Sequence, residues 1–528
     1  LMGRKIVIGG AWPYANSSLH LGHLAALISG DVLARYHRLK GDEVIYVSGT
    51  DCHGTPITET AKKEKVTPKD IANKYHKEFS EVFKMMNFSY DLYTKTEDEY
   101  HKEKVKQLFK AIYDNGYIKE KIDDDNYCEK CNKFVADREL KLICPNCGNE
   151  TKGDQCDCGY VPTKENLKKA ICNGCGNLTI TKKNKNLYLE LPKLQLDIKK
   201  YIDKNKNKWR KNAQNETTKF LKEGLKERAV TRNLDWGIDI PIRGFEDKKM
   251  YVWIDAVLGY LTATMKYCDE NNLNFDEWWK GNNENNVIYM VHGKDNIIFH
   301  SIILPALLIG LNENIHLPDV MVSTEYLNFN DQKFSKSKKI GLTIIEALNK
   351  FDTETLRFHL IKNGPETKDA NFTEEDYILT HNEITNKLGN FVNRTLKYKG
   401  LSEIPNGILD VEVQKYIKEK YKEISNFIES IEFRKATLSI IELLDFANKY
   451  YDEKKPWVQY KENINEFNNT IYTGTIIISN ISNLIEPFMP LTAEKIRKYL
   501  RIKNRKWEYI EKIDNIKLND IFPLFERK

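Results

Sequence analysis

The hydrophobic and polar positions of the first hundred residues alternate between two periods. Short apolar runs at residues 6–9 and 44–48 are typical of buried strands, and helical spacing follows them at 21–39 and 68–85. Such alternation predicts a parallel sheet with helices on both faces. A later apolar run at residues 287–291 predicts another strand of the same kind.

Two segments break the alternation. Residues 117–213 carry paired cysteines, many Gly and Asn residues and no long amphipathic run, which indicates an insertion. Residues 376–528 carry long amphipathic helical patterns with few glycines, which predicts an all-α bundle. We therefore expect an α/β domain in two halves, 1–116 and 214–325, joined to the bundle through a linking segment, 326–375.

Membrane and secreted classes are disfavoured by the apolar pattern. The longest mostly apolar run, residues 297–311, includes His300 and Pro305 and is shorter than the ~20 residues of a spanning helix. It predicts a buried core helix and no membrane partner. The N-terminus enters a strand directly, without a signal-peptide pattern, so we expect a cytoplasmic protein.

Composition excludes a disordered chain and leaves the partner open. Apolar residues make up 41% and charged residues 30% of the 528 residues, as in folded proteins. The net charge of +6, from 82 basic and 76 acidic residues, permits a nucleic-acid partner without requiring one.

Cysteines give a sharper signal, because eight of the ten lie in the insertion as close pairs. The pairs are Cys128 and Cys131, Cys144 and Cys147, Cys156 and Cys158, and Cys172 and Cys175. A C-x-x-C turn places two thiolates on one side of a tetrahedral Zn²⁺ ion, so the pairs predict one or two structural zinc sites. The spacing leaves open which pairs combine, and redox thiols are the disfavoured alternative. Cys52 and Cys268 stand alone and are expected to be packed thiols.

A histidine pair lies where the first helix begins. His20 and His23 are three positions apart, so their rings share one helix face above N–H groups that attract anions. Gly22 leaves room for close approach of a ligand. Two imidazole donors at such a place suit a phosphate transition state. Histidines that only cap or pack the helix are the alternative.

A basic loop far along the chain is the second candidate element. Lys333-Phe334-Ser335-Lys336-Ser337 offers two amines and two hydroxyls that could clamp a leaving pyrophosphate. An ordinary exposed loop is the alternative for this segment alone. The histidine pair and the loop together are more specific than either one.

These two motifs resemble the signatures of class I aminoacyl-tRNA synthetases. The flanking segments look like the methionyl-tRNA synthetase family over nearly the whole chain, at residues 11–16, 49–57, 234–237, 253–256 and 292–295. The isoleucine and leucine enzymes share only parts of the first motif and carry a large editing domain, for which the insertion leaves no room.

The resemblance implies a catalytic domain of the Rossmann type, split by a connective zinc-knuckle insertion. It implies a two-step reaction, in which ATP with Mg²⁺ activates L-methionine to methionyl-adenylate and methionine then passes to the 3′ end of tRNA(Met). The catalytic groups would be His20, His23, Lys333 and Lys336. ATP would also contact Asn16, His292, Lys294 and Asp295. Methionine would lie among Ala11, Trp12, Tyr14, Asp51, Trp253, Ala256, Tyr260 and His300.

Within that pocket, Asp51 would pair with the amino group of methionine. Two positions depart from many family members, because Trp12 stands where Leu is common and Val257 where Pro is common. Both substitutions would reshape the wall of the pocket.

The family arrangement also implies how the cysteines combine. The inner pairs, Cys144, Cys147, Cys156 and Cys158, would hold one zinc, and the outer pairs, Cys128, Cys131, Cys172 and Cys175, would hold the other. The third pair is C-x-C where the family usually has C-x-x-C.

The helical bundle resembles the family's anticodon-binding domain. Asn390 and Arg394 are four apart on one helix face and could read base edges, and Trp457 could stack on a base. A core aromatic is the alternative for Trp457. The sequence carries no appended tRNA-binding β-domain after the bundle, so we expect a monomer.

Two other functions remain to be weighed against the synthetase. One is a small-molecule nucleotidyltransferase, which also uses H-x-G-H but is usually shorter and lacks a helical bundle. The other is a non-catalytic tRNA-binding relative, against which the intact His20, His23 and Lys336 argue.

Overall fold

The computed structural model describes residues 3–136, 139–153, 156, 160, 162–281, 285–333, 340–514, 516–518 and 521–525, with the backbone alone at residue 164. Cys158 and Lys336, both predicted site residues, lie outside the described residues. Among the helices of the described ranges, none combines the length and the apolar character that crossing a membrane requires.

Strands and helices alternate in the first part of the chain, as predicted. They are β1 (Lys5–Gly10), α1 (Leu21–Lys40), β2 (Glu43–Thr50), α2 (Thr55–Glu64), α3 (Pro68–Met85), β3 (Leu92–Lys95) and α4 (Glu99–Asp114). The predicted strands at 6–9 and 44–48 and the predicted helices are confirmed. Helix α3 begins where Thr67 caps it and Pro68 occupies its first turn, where an N–H is not needed.

The insertion contains short strands followed by helices. Its elements are β4 (Ile118–Cys128), β5 (Lys133–Phe134), β6 (Leu140–Ile143), β7 (Glu150–Lys152), α5 (Lys164–Leu167), β8 (Ile171–Cys172), β9 (Ile180–Leu189), α6 (Leu191–Asn205), a 3₁₀ turn (Lys206–Lys208) and α7 (Lys211–Lys222). The expectation of no long amphipathic run is wrong at α6. Leu191, Leu194, Ile198 and Ile202 recur at helical spacing and are buried.

The α/β pattern then resumes. Its elements are β10 (Arg228–Ala229), β11 (Thr231–Arg232), β12 (Lys249–Met250), α8 (Val252–Asn271), α9 (Asp276–Trp279), β13 (Asn286–Gly293), a 3₁₀ turn (Lys294–Asn296), a π-helical turn (Phe299–Ile303), α10 (Leu304–Gly310) and β14 (Val320–Thr324). The predicted single helix at 297–311 is therefore interrupted. Pro305 has no N–H to give Ser301 and its ring crowds that carbonyl, so the turn before it widens.

A small linking region precedes the bundle. The linking elements are β15 (Leu327–Phe329), β16 (Gln332–Lys333), α11 (Ile344–Lys350), α12 (Thr353–Lys362) and β17 (Ala370–Phe372). The bundle follows with α13 (Glu374–Ile384), a π-helical turn (Thr385–Gly389), α14 (Asn390–Leu396), α15 (Val411–Glu429), α16 (Phe433–Lys454), α17 (Pro456–Glu462), α18 (Ile464–Ile485) and α19 (Pro490–Tyr499). The predicted fold class, a split α/β domain with a cysteine-rich insertion and an all-α bundle, is confirmed.

The central sheet places the candidate site. Its five strands are all parallel, in the order β14-β13-β1-β2-β3. The connections after β1 and after β13 leave in opposite directions, toward β2 and toward β14, which creates a crevice at the carboxyl ends of β1 and β13. Ala11 follows β1 there, Asp51 follows β2, and Lys294 follows β13.

A buried ion pair joins this sheet domain to the linking region that precedes the bundle. Asp31 of α1 and Arg357 of α12 are both fully buried and paired. Arg357 also donates to the carbonyls of Met86 and Phe488, at 2.9 and 3.2 Å. Burial opposes ionisation of Asp31, but Arg35 and Arg357 outweigh it and hold the pKa of this carboxyl well below its usual range.

We expect Arg357→Leu to destabilise the protein by about 3–5 kcal/mol, because one partner of a buried pair is removed and carbonyls lose their donor. Thermal unfolding would show the loss as a lower midpoint. The matched control is Arg434→Leu, since Arg434 is exposed on the bundle, and it should stay within about 0.5 kcal/mol of the parent. Equal midpoints for the two variants would contradict a structural role for the pair.

Candidate active site

The start of α1 is capped by the histidine pair itself. His20 is the N-cap residue, and its Nδ1 accepts the Gly22 N–H at 3.1 Å. The His23 Nδ1 in turn accepts the His20 N–H at 3.2 Å. The two rings lie 3.9 Å apart between centroids. The two histidines therefore do cap the helix, and the same hydrogen bonds fix the orientation of both rings.

This cap sets the chemistry of the two imidazoles. Since both Nδ1 atoms accept backbone hydrogen bonds, a neutral ring at either position carries its proton on Nε2. Both residues line the main cavity of the structure. The helix end can thus offer two N–H donors, together with its own partial positive charge, to an anion.

One cavity of about 850 Å³ brings most of the predicted site residues together. The predicted residues that line it are Ala11, Trp12, Tyr14, Asn16, His20, His23, Asp51, Trp253, Ala256, Tyr260, Asp295, His300 and Lys333. His292 and Lys294 do not line it. His292 is fully buried behind His300, with the ring centroids 4.3 Å apart, and Lys294 pairs with Glu325 at 2.7 Å.

Aromatic rings form the apolar wall. Trp12 lies in a slot made by two glycines, because a Cβ at Gly49 or Gly259 would come within 2.5 or 2.7 Å of its ring. Trp253 donates its indole N–H to the Tyr14 hydroxyl. Its ring packs edge-on against the Phe299 ring, with 3.7 Å between the ring centroids. A wall of this kind suits a flexible apolar side chain, and a thioether in particular.

His300 is a neutral acceptor at the back of the cavity. Its Nδ1–H donates to the Asn296 carbonyl at 2.8 Å, so its Nε2 accepts the Tyr260 hydroxyl at 2.7 Å. Burial lowers the pKa of His300 to about 4, so the ring stays uncharged near neutral pH. The π-helical turn above Pro305 carries both His300 and Phe299, and such turns often occur at functional sites.

Charged residues gather around Asp51, which follows β2. Asp51 is almost fully buried yet lines the cavity, and one carboxylate oxygen accepts the His53 N–H at 3.3 Å. The His53 ring lies between Asp255 at 2.9 Å and Glu97 at 3.0 Å. Burial and then Asp255 raise the pKa of the Asp51 carboxyl well above its usual range.

The basic loop reaches the cavity at its described end. Lys333 is exposed at the end of β16 and lies 5.0 Å above the Tyr326 ring. The Tyr326 hydroxyl in turn contacts Asp295, and both residues line the cavity. Lys333 and the histidine pair therefore line the same cavity.

The predicted bundle residues lie on two short helices, α14 and α17. Arg394 of α14 pairs with Asp452 of α16 at 2.9 Å, and its guanidinium lies 4.9 Å above the Tyr451 ring. Trp457, on the next short helix, is 45% exposed, so the core alternative for it is wrong. Asn390 is half-buried on α14.

The outer cysteine pairs form one cluster. The sulfurs of Cys128, Cys131, Cys172 and Cys175 all lie within 4.8 Å of one another. Tetrahedral Zn²⁺ with bonds of about 2.3 Å needs sulfurs about 3.8 Å apart. The spacings of 3.4 Å from Cys128 to Cys175 and 3.9 Å from Cys131 to Cys172 therefore fit this ion.

The inner cysteines form a second cluster. Cys144, Cys147 and Cys156 place their sulfurs within 4.8 Å of one another, and the fourth predicted ligand, Cys158, is outside the described residues. Three turns share one backbone feature, because Asn132, Gly148 and Gly176 each follow a second cysteine with a positive φ. Cys52 and Cys268 are buried alone, as predicted.

Sequence reasoning missed several residues of the site. Ser17, Asn296, Phe299, Thr324, Glu325, Tyr326 and Asn328 also line the cavity. Their signal was positional, since they lie beside a predicted residue or just after a strand of the parallel sheet. The buried network of His53, Glu97 and Asp255 had no local signal, because its members come from three separate segments.

Comparison with known proteins identifies the class first and then the family. A family model described as tRNA synthetases class I (M) matches residues 6–396. A second model, the anticodon binding domain of methionyl tRNA ligase, matches residues 405–519. The first match, with a histidine pair at the edge of a parallel sheet, defines the class as that of the class I aminoacyl-tRNA synthetases.

Curated relatives narrow the class. Methionine--tRNA ligase 1 of Alkaliphilus oremlandii (strain OhILAs) is 43% identical, over 99% of this chain and 97% of its own length. Methionine--tRNA ligase of Bacillus cereus (strain B4264) is 43% identical, over 99% of this chain and 96% of its own. The chain belongs to the methionyl-tRNA synthetase family, and the predicted family and enzyme class are confirmed.

A solved structure agrees at the level of the fold. The Mycobacterium tuberculosis methionyl-tRNA synthetase in complex with methionyl-adenylate superposes with a TM-score of 0.82. The match covers 99% of this chain and 100% of that one, at 23% sequence identity.

Metal analysis tests the cysteine clusters. We expect the purified protein to contain zinc and Cys128→Ser to lose about one zinc per chain, because a serine hydroxyl is a poor substitute for a thiolate ligand. The matched control is Cys268→Ser, which alters a buried thiol outside both clusters and should keep the full zinc content. Zinc content that is the same in Cys128→Ser and in the parent would contradict this assignment.

Proposed function

We propose that ATP activates methionine in this cavity and that the activated methionine is then transferred to tRNA(Met), with the roles of individual residues as follows. The observation that carries the assignment is that His20, His23 and Lys333 line the same cavity as Asp51, Trp253 and His300. Phosphate-binding donors and an amino-acid pocket thus share one space. Methionine and ATP would react there to give methionyl-adenylate and pyrophosphate.

At the amino-acid end, the ammonium group of methionine would pair with Asp51, a charge-assisted contact in a buried place. The thioether would pack between Trp253 and the Tyr260–His300 pair. Since the His300 ring is neutral and already hydrogen-bonded on both sides, it offers shape without charge to an uncharged side chain. A wall made mainly of aromatic rings would also favour methionine over polar amino acids.

At the nucleotide end, the Nε2–H groups of His20 and His23 would donate to the phosphates as charge develops on them. Lys333, and Lys336 beside it in sequence, would hold the leaving pyrophosphate, and Mg²⁺ would accompany ATP. Attack by the methionine carboxylate on the α-phosphorus needs no covalent group from the protein. Positioning and charge stabilisation would therefore supply the catalysis.

The bundle would bind the anticodon. The exposed Trp457 offers a ring for base stacking, while Arg394 and Asn390 could donate to base edges. The paired cysteines would hold structural Zn²⁺ in the connective insertion, one or two ions in all. The five-part division of the chain, a monomeric state and a cytoplasmic location stay predictions, and α7 spans the proposed boundary at residue 213.

Pyrophosphate exchange tests the nucleotide end. We expect His23→Ala to lower methionine-dependent exchange by about 10²–10³-fold, because a transition-state donor is lost. His23→Gln separates catalysis from capping, since a glutamine at this helix position can still accept the N-cap N–H. It should restore stability and leave exchange low.

The opposite result for these variants, full exchange in His23→Gln, would show that His23 only caps the helix. Exchange in the parent protein separates the alternative functions. Exchange that depends on methionine supports the synthetase, whereas activity only with a phosphorylated small molecule, or none, would refute it.

Aminoacylation tests the bundle. We expect Trp457→Ala to raise the KM for tRNA(Met) by about 5- to 150-fold through loss of stacking, with pyrophosphate exchange unchanged. Leu491→Ala is the matched control, because Leu491 is an exposed apolar residue on another helix of the bundle. A parallel loss of exchange and aminoacylation in Trp457→Ala would argue against anticodon binding at this position.

A further inference from the structure

His53 lies between two buried carboxylates just behind the cavity. Its Nδ1 is 2.9 Å from an oxygen of Asp255, and its Nε2 is 3.0 Å from an oxygen of Glu97. All three residues are buried. Ionised carboxylates only accept hydrogen bonds, so a ring that satisfies both of them must donate from both nitrogens and is an imidazolium.

The groups around His53 leave one negative charge uncompensated. Lys102 pairs with the second oxygen of Glu97 at 2.7 Å, so two cations face the three carboxylates of Asp51, Glu97 and Asp255. Lys102 also pairs with Glu99 at 3.2 Å, but that carboxylate is exposed to solvent. Another titratable neighbour is His101, whose pKa burial lowers to about 3, so it adds no charge near neutral pH. Of the three carboxylates, only Asp51 lines the cavity.

The backbone of His53 also holds Asp51 directly. The His53 N–H donates to Asp51 at 3.3 Å, while Trp236 donates its indole N–H to the adjacent Cys52 carbonyl at 2.7 Å. Trp236 also packs edge-on against the His53 ring, 5.7 Å between centroids. The loop after β2 is thus fixed on both sides, which fixes the direction of the Asp51 carboxylate.

We propose that His53 is a positioning residue that leaves Asp51 as the single uncompensated carboxylate for the α-ammonium group of the amino-acid substrate. This inference rests on the proposed function. His53 neutralises one of its two flanking carboxylates and Lys102 neutralises the charge that remains on the pair. A site with one net negative charge matches one ammonium group.

Loss of the imidazolium would spoil this match. Burial and Asp255 already raise the pKa of Asp51, while the charge and the backbone N–H of His53 lower it, so without the imidazolium the Asp51 carboxyl would hold a proton more readily. A proton on Asp51 would remove the partner of the ammonium group. Burial opposes the charge on His53, but Asp255 and Glu97 outweigh it and raise the pKa of the ring to about 9.

The test compares three ligands that differ only in their charged groups. Methionine carries an ammonium and a carboxylate, methioninol keeps only the ammonium, and 4-(methylthio)butanoate keeps only the carboxylate. Their affinities are read in pyrophosphate exchange, as the KM for methionine and as inhibition constants for the two analogues. The KM for ATP is measured alongside.

In His53→Gln we expect methionine and methioninol to weaken by the same factor, about 10- to 100-fold. The inhibition constant of 4-(methylthio)butanoate and the KM for ATP should stay within about 2-fold, because neither ligand uses the ammonium site. Equal weakening of all three ligands, or of none, would overturn the assignment of His53.

Two further variants keep the test decisive. His359→Gln changes another buried histidine, which lies on α12, is hydrogen-bonded to Thr380 of α13 and does not line the cavity. This variant should shift none of the three constants selectively. Glu97→Gln removes one charge from the far side of His53 and should reproduce the ammonium-selective pattern at smaller size. If His53→Gln fails to fold, a lack of selectivity in Glu97→Gln overturns the proposal instead.

Different results would refute the proposed function and the role of His53. A parent protein without methionine-dependent exchange refutes the proposed function itself. A parent with normal exchange, and variants that lose all three ligands together, refutes only the role given to His53.

Discussion

The position of helix α1 depends on Asp31, which is fully buried within it and meets the guanidinium groups of Arg35 and Arg357. A carboxylate in that position without a cation would cost several kcal/mol, so the pair with Arg357 joins α1 to α12, and the Phe488 carbonyl joins α12 to the segment between α18 and α19. Arg35 and the Ser89 hydroxyl complete the shell around Asp31. The direction of α1 sets where its first turn points, and that turn carries the histidine pair of the cavity.

The same pair connects distant parts of the chain. Arg357 lies on α12, and it also donates to the carbonyls of Met86, Pro487 and Phe488, of which the last two lie between α18 and α19 of the bundle. Helix α1, helix α12 and the segment between α18 and α19 therefore meet at one buried charge.

Much of the fold could be predicted because its signals are local. Buried parallel strands are short apolar runs, and the start of a capped helix is marked by its cap residues, such as Thr67 and Pro68 at α3. Helix α6 escaped prediction because lysine, glutamine and aspartate residues separate its buried apolar positions. The π-helical turn at Phe299–Ile303 depends on how the backbone relieves Pro305, which composition alone does not report.

In the candidate site, too, the residues in local motifs could be predicted and the contacts between distant segments could not. Residues in sequence motifs, such as His20, His23 and Lys333, could be placed in advance, whereas the slot for Trp12 requires Gly49 of β2 and Gly259 of α8 to lie against the same ring. The two ends of the cavity then impose an orientation on any amino acid within it. Donors lie at the α1 end and an acceptor carboxylate at Asp51, so a zwitterion gains most with its ammonium group at Asp51 and its carboxylate toward the donors. That orientation brings the carboxylate oxygen to the side where a nucleotide phosphate would be held, which is the geometry that adenylate formation requires.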